Sequence, residues 1–113
     1  MKTSKNMNAT GSCLCKTVES SGNIQFKGEE NITVFSSSDW AERGFCKKCG
    51  TNLFYRLKDK SLNFCNFNLG TIDNHEDFEF TTQIYIDAKP ENYSFLNRTK
   101  NMTEKEVLEA FGI

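Results

Sequence analysis

The sequence predicts a mainly β protein with one short C-terminal helix, and three observations carry this expectation. Short alternating runs of apolar residues, such as Leu53–Leu57, are separated by polar turn segments, as is typical of β-strands. Apolar residues at helical spacing occur between Thr103 and Phe111. Two close cysteine pairs, one near the N-terminus and one in the middle of the chain, predict a metal that joins these two parts.

The N-terminal half is expected to form a strand followed by a hairpin. Gly11–Glu19 is predicted to be the first strand, and Ser20–Asn23 is rich in turn-forming residues. The runs Ile24–Phe26 and Asn31–Phe35 flank a four-residue polar segment, which is the pattern of a hairpin.

The C-terminal half is expected to add strands and the helix. The predicted elements are strands at Leu53–Leu57 and Leu62–Leu69, a polar loop at Gly70–Asp77, and a long last strand at Phe78–Asp87 that ends before Pro90. Thr103 and Glu106 have the spacing of a helix capping box, and Gly112 is a suitable C-terminal stop. The apolar stripe of this helix is expected to dock on the sheet.

Length and charge limit the number of domains and the class of partner. The 113 residues predict one domain over residues 11–113, preceded by a flexible tail at residues 1–10. The formal net charge of −1 disfavours nucleic acid, because a nucleic-acid interface needs an excess of Lys and Arg. The N-terminus lacks the apolar run of a signal peptide, and no segment has the apolar length of a membrane helix. We therefore expect a cytoplasmic protein without a nucleic-acid or membrane partner.

The two cysteine pairs have the spacing of a zinc site. Cys46 and Cys49 are two residues apart, as in zinc knuckles, and Gly50 suits the turn because glycine adopts a positive φ without strain. Cys13 and Cys15 supply two further thiolates, and positions i and i+2 of a strand point to the same side. The sequence therefore predicts one structural Zn²⁺ ion per chain, bound by these four cysteines.

The fifth cysteine makes the count odd, which favours metal ligands and one free thiol over a set of disulfides. Cys65 lies in an apolar strand and is interpreted as a buried thiol, while His75 is interpreted as a solvated loop residue. A joint catalytic role for these two is the alternative, but no third ligand stands at a recognisable spacing. A thioredoxin-like redox pair is disfavoured, because the Cys-x-x-Cys motif here precedes a strand. No residue is assigned a catalytic role.

Several segments resemble the glutathione-dependent formaldehyde-activating enzyme family, and the resemblance covers nearly the whole chain. They are Gly11–Cys15, Gly28–Ile32, Trp40–Gly50, Thr82–Pro90 and the tail from Tyr93 to Thr103. The resemblance implies a zinc-bound β-tent fold in which the cysteines matching the two pairs hold a structural zinc. It also implies a separate Cys-x-Cys-x-x-Cys segment between the pairs, which holds a catalytic zinc with one open position. No cysteine lies between Cys15 and Cys46, so the chain looks internally deleted at this segment.

This departure from the family pattern leads to three hypotheses. By resemblance, the full enzymes combine glutathione with formaldehyde or perform related carbon–sulfur chemistry. The first hypothesis is a non-catalytic or altered binder of a small thiol or glutathione adduct, because a zinc closed by four thiolates has no position for a substrate. The alternatives are an active carbon–sulfur lyase with a rebuilt site and a homodimeric interaction module with uncovered sheet edges. Sequence alone does not decide whether the chain is an enzyme.

Overall fold

Short antiparallel strands dominate the structure, a computed structural model that describes residues 9–21 and 24–112. The strands are β1 (Thr10–Ser12), β2 (Glu19–Ser21), β3 (Gln25–Lys27), β4 (Ile32–Ser36), β5 (Ala41–Cys46), β6 (Asn52–Leu57), β7 (Cys65–Phe67), β8 (Thr82–Ile84) and β9 (Lys100–Met102), and the helix is α1 (Glu104–Phe111). This confirms the mainly β class with one short C-terminal helix.

The described residues divide into two units, 9–75 and 76–112, which we describe separately. The single domain expected for residues 11–113 stays a prediction. The tail expected at residues 1–10 lies outside the described residues except for its last two positions, and Thr10 begins β1. No helix in the described ranges is long and apolar enough to cross a membrane.

The first unit contains a sheet of three antiparallel strands in the order β1-β2-β3. The single strand predicted for Gly11–Glu19 is wrong, because the chain reverses within it and β1 pairs with β2 as a hairpin. Lys16, at a φ of 66°, lies in this reversal. Gly11 also bridges to Ile72, and a Cβ at Gly11 would lie 2.3 Å from the Thr71 carbonyl oxygen, so glycine permits this close approach.

The second sheet has the order β4-β5-β6-β7, with all pairs antiparallel. The hairpin predicted from Ile24–Phe26 and Asn31–Phe35 is wrong: β3 pairs with β2, whereas β4 pairs with β5. Gly28, at a φ of 78°, and the 3-10 turn Glu29–Asn31 carry the chain from one sheet to the other. Residues 22 and 23 of the predicted turn Ser20–Asn23 lie outside the described residues.

The core lies between these two sheets. Phe26 of β3 packs against Phe54 and Phe67, with ring centroids 5.3 Å and 5.8 Å away. The register of β5 and β6 shifts between Gly44 and Phe45, which leaves one extra residue in β6. Such a bulge redirects a side chain, and it explains why consecutive residues Leu53 and Phe54 are both buried. The buried residues that form one packed cluster in this core are Cys13, Val18, Cys46, Leu53 and Phe54.

The predicted strand Leu62–Leu69 is shorter in the structure, where only β7 is extended. The 3-10 turn Lys60–Leu62 precedes it, and Asn63 has a φ of 46°. The polar segment expected after it contains the 3-10 turns Leu69–Thr71 and His75–Asp77.

The second unit is built on a parallel pair, β8 and β9. The long strand predicted for Phe78–Asp87 is wrong in length, because Tyr85 has a φ of 54° and a 3-10 turn, Ile86–Ala88, follows it. β9 lies in a segment for which no strand was predicted.

The C-terminal helix agrees with its sequence signals. Glu106 N–H donates to the Thr103 hydroxyl at 3.3 Å, and Thr103 N–H donates to the Glu106 carboxylate at 3.0 Å. This reciprocal pair is the predicted capping box, and Gly112 ends the helix at a φ of 72°. Val107 is the buried residue of α1, which packs against β9 and the Ile86–Ala88 turn.

Candidate metal centre

The first cysteine pair lies in the reversal between β1 and β2. Lys16 N–H donates to the Cys13 carbonyl at 3.1 Å, and Cys13 N–H donates to the Val18 carbonyl at 3.0 Å, so the loop closes on itself. The Sγ atoms of Cys13 and Cys15 are 3.6 Å apart. The two sulfurs thus converge because of a turn, and the strand geometry expected from their i and i+2 spacing is wrong.

The second pair lies in the turn between β5 and β6. Cys46 is the last residue of β5, and Gly50 N–H donates to its carbonyl at 2.8 Å. Gly50 has a φ of 76°, as its position after the motif predicts, while a Cβ there would meet no neighbouring atom. The glycine is therefore favoured by backbone conformation and not by space. β6 then begins at Asn52, which confirms that a strand follows the knuckle.

The two turns meet, and all four sulfurs lie within 4.8 Å of one another. Leu14 N–H of the first turn donates to the Thr51 hydroxyl of the second at 3.1 Å, and the Sγ atoms of Cys15 and Cys46 are 3.8 Å apart. Zinc–sulfur bonds of about 2.3 Å in a tetrahedron place the sulfurs about 3.8 Å from one another. The separations of 3.6 Å and 3.8 Å therefore fit a tetrahedral four-thiolate site.

Each turn contributes one buried and one more accessible sulfur. Cys13 and Cys46 are fully buried, Cys49 is partly exposed and Cys15 is exposed. All four are free thiols. A disulfide needs sulfurs about 2.0 Å apart, so the geometry is that of ligands and not of a cystine.

Two threonines that the sequence reasoning missed stabilise the thiolate forms. Hydrogen bonds from the hydroxyl and then the backbone of Thr51 lower the pKa of Cys49 to about 5, and those of Thr17 lower the pKa of Cys15. The Thr51 hydroxyl lies 3.0 Å from the Cys49 sulfur. Each threonine stands two residues after the second cysteine of its pair, and this repeated Cys-x-Thr spacing was the available sequence signal.

The pKa of the fully buried Cys46 thiol is shifted in the opposite direction. The Cys49 backbone N–H lowers the pKa of Cys46. Burial and the neighbouring Cys13 and Cys49 side chains raise this pKa by more, so the net shift is upward. Four thiolates this close repel one another unless a cation lies between them, so the cluster favours binding of a divalent ion.

Cys65 and His75 do not belong to this four-sulfur group. Cys65 in β7 is opposite Arg56 in β6 and is partly buried against the core. Burial raises the pKa of the Cys65 thiol to about 11, although the Arg56 guanidinium acts in the other direction. His75 is exposed in the His75–Asp77 turn. Cys65 was interpreted from the sequence as a buried thiol, and in the structure it is only partly buried.

Comparison with known proteins finds a family model and a relative that match this chain. The family model of the glutathione-dependent formaldehyde-activating enzyme matches residues 18–88, a span that includes the second cysteine pair. A protein of Schizosaccharomyces pombe, described as an uncharacterized lyase, is 39% identical over 82 residues, which cover 72% of this chain and 58% of the relative. The chain thus spans less than two thirds of the length of that relative. No solved structure matches this chain. With 71 of its 113 residues inside the matched span, this chain belongs to the glutathione-dependent formaldehyde-activating enzyme family.

Proposed function

We propose that the chain is a zinc-stabilised, non-catalytic family member that binds a small thiol or glutathione adduct. The convergence of four of its five cysteines on one closed site is the observation that carries this proposal. Cys13, Cys15, Cys46 and Cys49 would hold one Zn²⁺ per chain, and a zinc bound there supplies folding free energy by joining the β1–β2 turn to the β5–β6 turn. A reducing cytoplasm, which keeps these thiols free, belongs to the same proposal.

The remaining side chains provide no second thiolate set. The family resemblance implies a catalytic zinc on three cysteines, and only Cys65 is left outside the four-sulfur group. A thiol with a pKa of about 11 is protonated at neutral pH, and metal ligation requires the thiolate. The closed four-thiolate site likewise has no position for a carbonyl or an incoming thiol.

A cleft beside the first cysteine turn can hold the ligand. Its volume is about 400 Å³, within the usual range for small-molecule sites. Lys16 and Asp73 contribute one positive and one negative group to its lining, and the other polar lining residues include Asn52, Asn68 and Thr71. This charge pair suits a zwitterionic amino-acid end, such as the one that glutathione carries, bound without contact to the metal.

Elemental analysis and calorimetry test this function. We expect about one zinc per chain, measurable heat on titration with glutathione, and no acceleration of the spontaneous reaction of formaldehyde with glutathione. Lys16→Asn should weaken glutathione binding without changing the zinc content, since Asn tolerates the positive φ of position 16. The same change at exposed Lys60, outside the cleft, is the matched control. Two zinc ions per chain together with turnover would overturn the proposal.

An active carbon–sulfur lyase is the second candidate, and the lyase description of the Schizosaccharomyces pombe relative favours it. In that case, a site rebuilt from other residues would supply the chemistry. Turnover of glutathione with formaldehyde and larger aldehydes separates the two candidates, because the binder proposal expects none.

The proposed function also includes a homodimer. Short sheets with open edges favour pairing with another chain.

A further inference from the structure

β4 is an edge strand whose outer side is open. It stands first in the order β4-β5-β6-β7 and, among the described strands, pairs with β5 alone. Phe35 is 63% exposed and Val34 is 44% exposed, although both belong to a strand. An apolar edge of this kind is the usual template for pairing with a further strand.

The backbone pattern of β4 identifies the unpaired groups. Lys47 N–H donates to the Asn31 carbonyl at 2.9 Å and Ser37 N–H donates to the Ala41 carbonyl at 3.2 Å, so the odd-numbered residues between them bond to β5. In an antiparallel pair, the alternate residues direct their N–H and C=O groups away from the partner. These alternate residues are Ile32, Val34 and Ser36.

Five of these six outward groups are free for another chain. The Ile32 N–H already donates to the Glu29 carbonyl. Within residues 9–21 and 24–112, the Ile32 C=O and both backbone groups of Val34 and of Ser36 have no partner. The open edge is therefore centred on Val34.

We propose that β4 pairs antiparallel with β4 of a second copy, with the two-fold axis at Val34. Val34 N–H of each copy then donates to the Val34 C=O of the other, and Ser36 N–H donates to the Ile32 C=O. These four hydrogen bonds use every free group except the Ser36 C=O, which faces the occupied Ile32 N–H of the other copy, and they leave that N–H undisturbed. The β4–β7 sheets of the two copies become one sheet of eight strands.

Charges at the two ends of β4 favour the antiparallel direction. The acidic residues Glu29 and Glu30 precede the strand, and both are exposed. The Lys58 ammonium lies at the other end, 2.5 Å from the Ser36 hydroxyl. Antiparallel pairing brings Lys58 of each copy toward Glu30 of the other, whereas parallel pairing would bring like charges together.

The pairing specifies the homodimer of the proposed function but depends on neither the zinc nor the ligand. Sedimentation velocity over a concentration series, with zinc content measured on each sample, therefore tests it independently. We expect wild-type protein to be dimeric. Because residue 34 faces its own copy, Val34→Lys or Val34→Glu alone should weaken self-association by about tenfold or more. An equimolar mixture of the two variants should restore the dimer, since Lys then faces Glu.

Leu62→Lys is the matched control, because Leu62 is 59% exposed and lies outside β4. It should leave the dimer intact, and all variants should keep the wild-type zinc content. A monomeric wild type at the highest soluble concentration would overturn the pairing, as would a mixture of Val34→Lys and Val34→Glu that stays monomeric. Equal disruption by Leu62→Lys would also overturn it.

Discussion

Cys46→Ser should remove most of the stability of the first unit. Cys46 is fully buried, and its sulfur lies 3.8 Å from that of Cys15, so serine replaces one of four thiolates at the centre of the cluster. Structural zinc sites contribute roughly 10–16 kcal/mol in small zinc peptides. The whole stability of a typical domain is only about 5–15 kcal/mol. The free energy lost with the zinc site therefore equals or exceeds the free energy of unfolding of a typical domain. We expect insoluble or molten protein.

Circular dichroism, thermal unfolding and zinc content measure this effect. Cys13→Ser should behave like Cys46→Ser, because Cys13 is also fully buried in the cluster. Cys65→Ser is the matched control, since this cysteine lies outside the four-sulfur group and its loss should cost about 1 kcal/mol. Chelation of the wild type should reproduce the Cys46→Ser state. Equal tolerance of all three substitutions, with zinc retained, would refute the ligand assignment.

Three further predictions concern the rest of the chain. Gly44→Ala should destabilise the protein by about 1–3 kcal/mol in chemical unfolding, because the new Cβ would lie 2.2 Å from the Phe54 ring; an unchanged midpoint would contradict this packing. Thr103→Ala should cost about 1 kcal/mol and reduce the helical signal, and retention of that signal would contradict the observed cap. Cys65 in zinc-loaded protein should react with iodoacetamide at pH 8 roughly 100-fold more slowly than in unfolded chain, because burial raises its pKa from 9.0 to about 11. Since the folded-state pKa is the higher one, the stability linked to this thiol is present below pH 9 and is lost as the pH rises through about 11.

Signals that act within a few residues predicted their structures well. The helix cap at Thr103, the positive φ of Gly50 and strand β6 all follow from residues that lie close together in the chain. In each case, one side chain or one backbone conformation decides the local structure. The two cysteine pairs converge as their spacing predicted, while metal occupancy itself stays a prediction.

Pairings between distant segments could not be predicted in the same way. Nothing within Ile24–Phe35 indicates that β3 returns to β2 while β4 joins β5. The parallel pairing of β8 with β9 likewise joins segments separated by a turn and an irregular stretch. Periodicity reports which residues favour a strand, but the partner of each strand depends on packing across the whole unit.

The position of the four-sulfur group constrains where ligand chemistry can occur. The group includes Cys13 and Cys46, which also belong to the core between the two sheets. A metal bound there would therefore join the two sheets, as the packing of the Phe26 ring on the Phe54 ring does. Releasing Cys13 or Cys46 to open a coordination position would cost core packing as well as metal binding, and releasing the exposed Cys15 would still cost metal binding. The cleft with Lys16 and Asp73 in its lining carries no such cost, because a ligand can enter it while all four sulfurs stay in place. This arrangement therefore supports the proposal that a ligand binds beside the metal site and not at the metal.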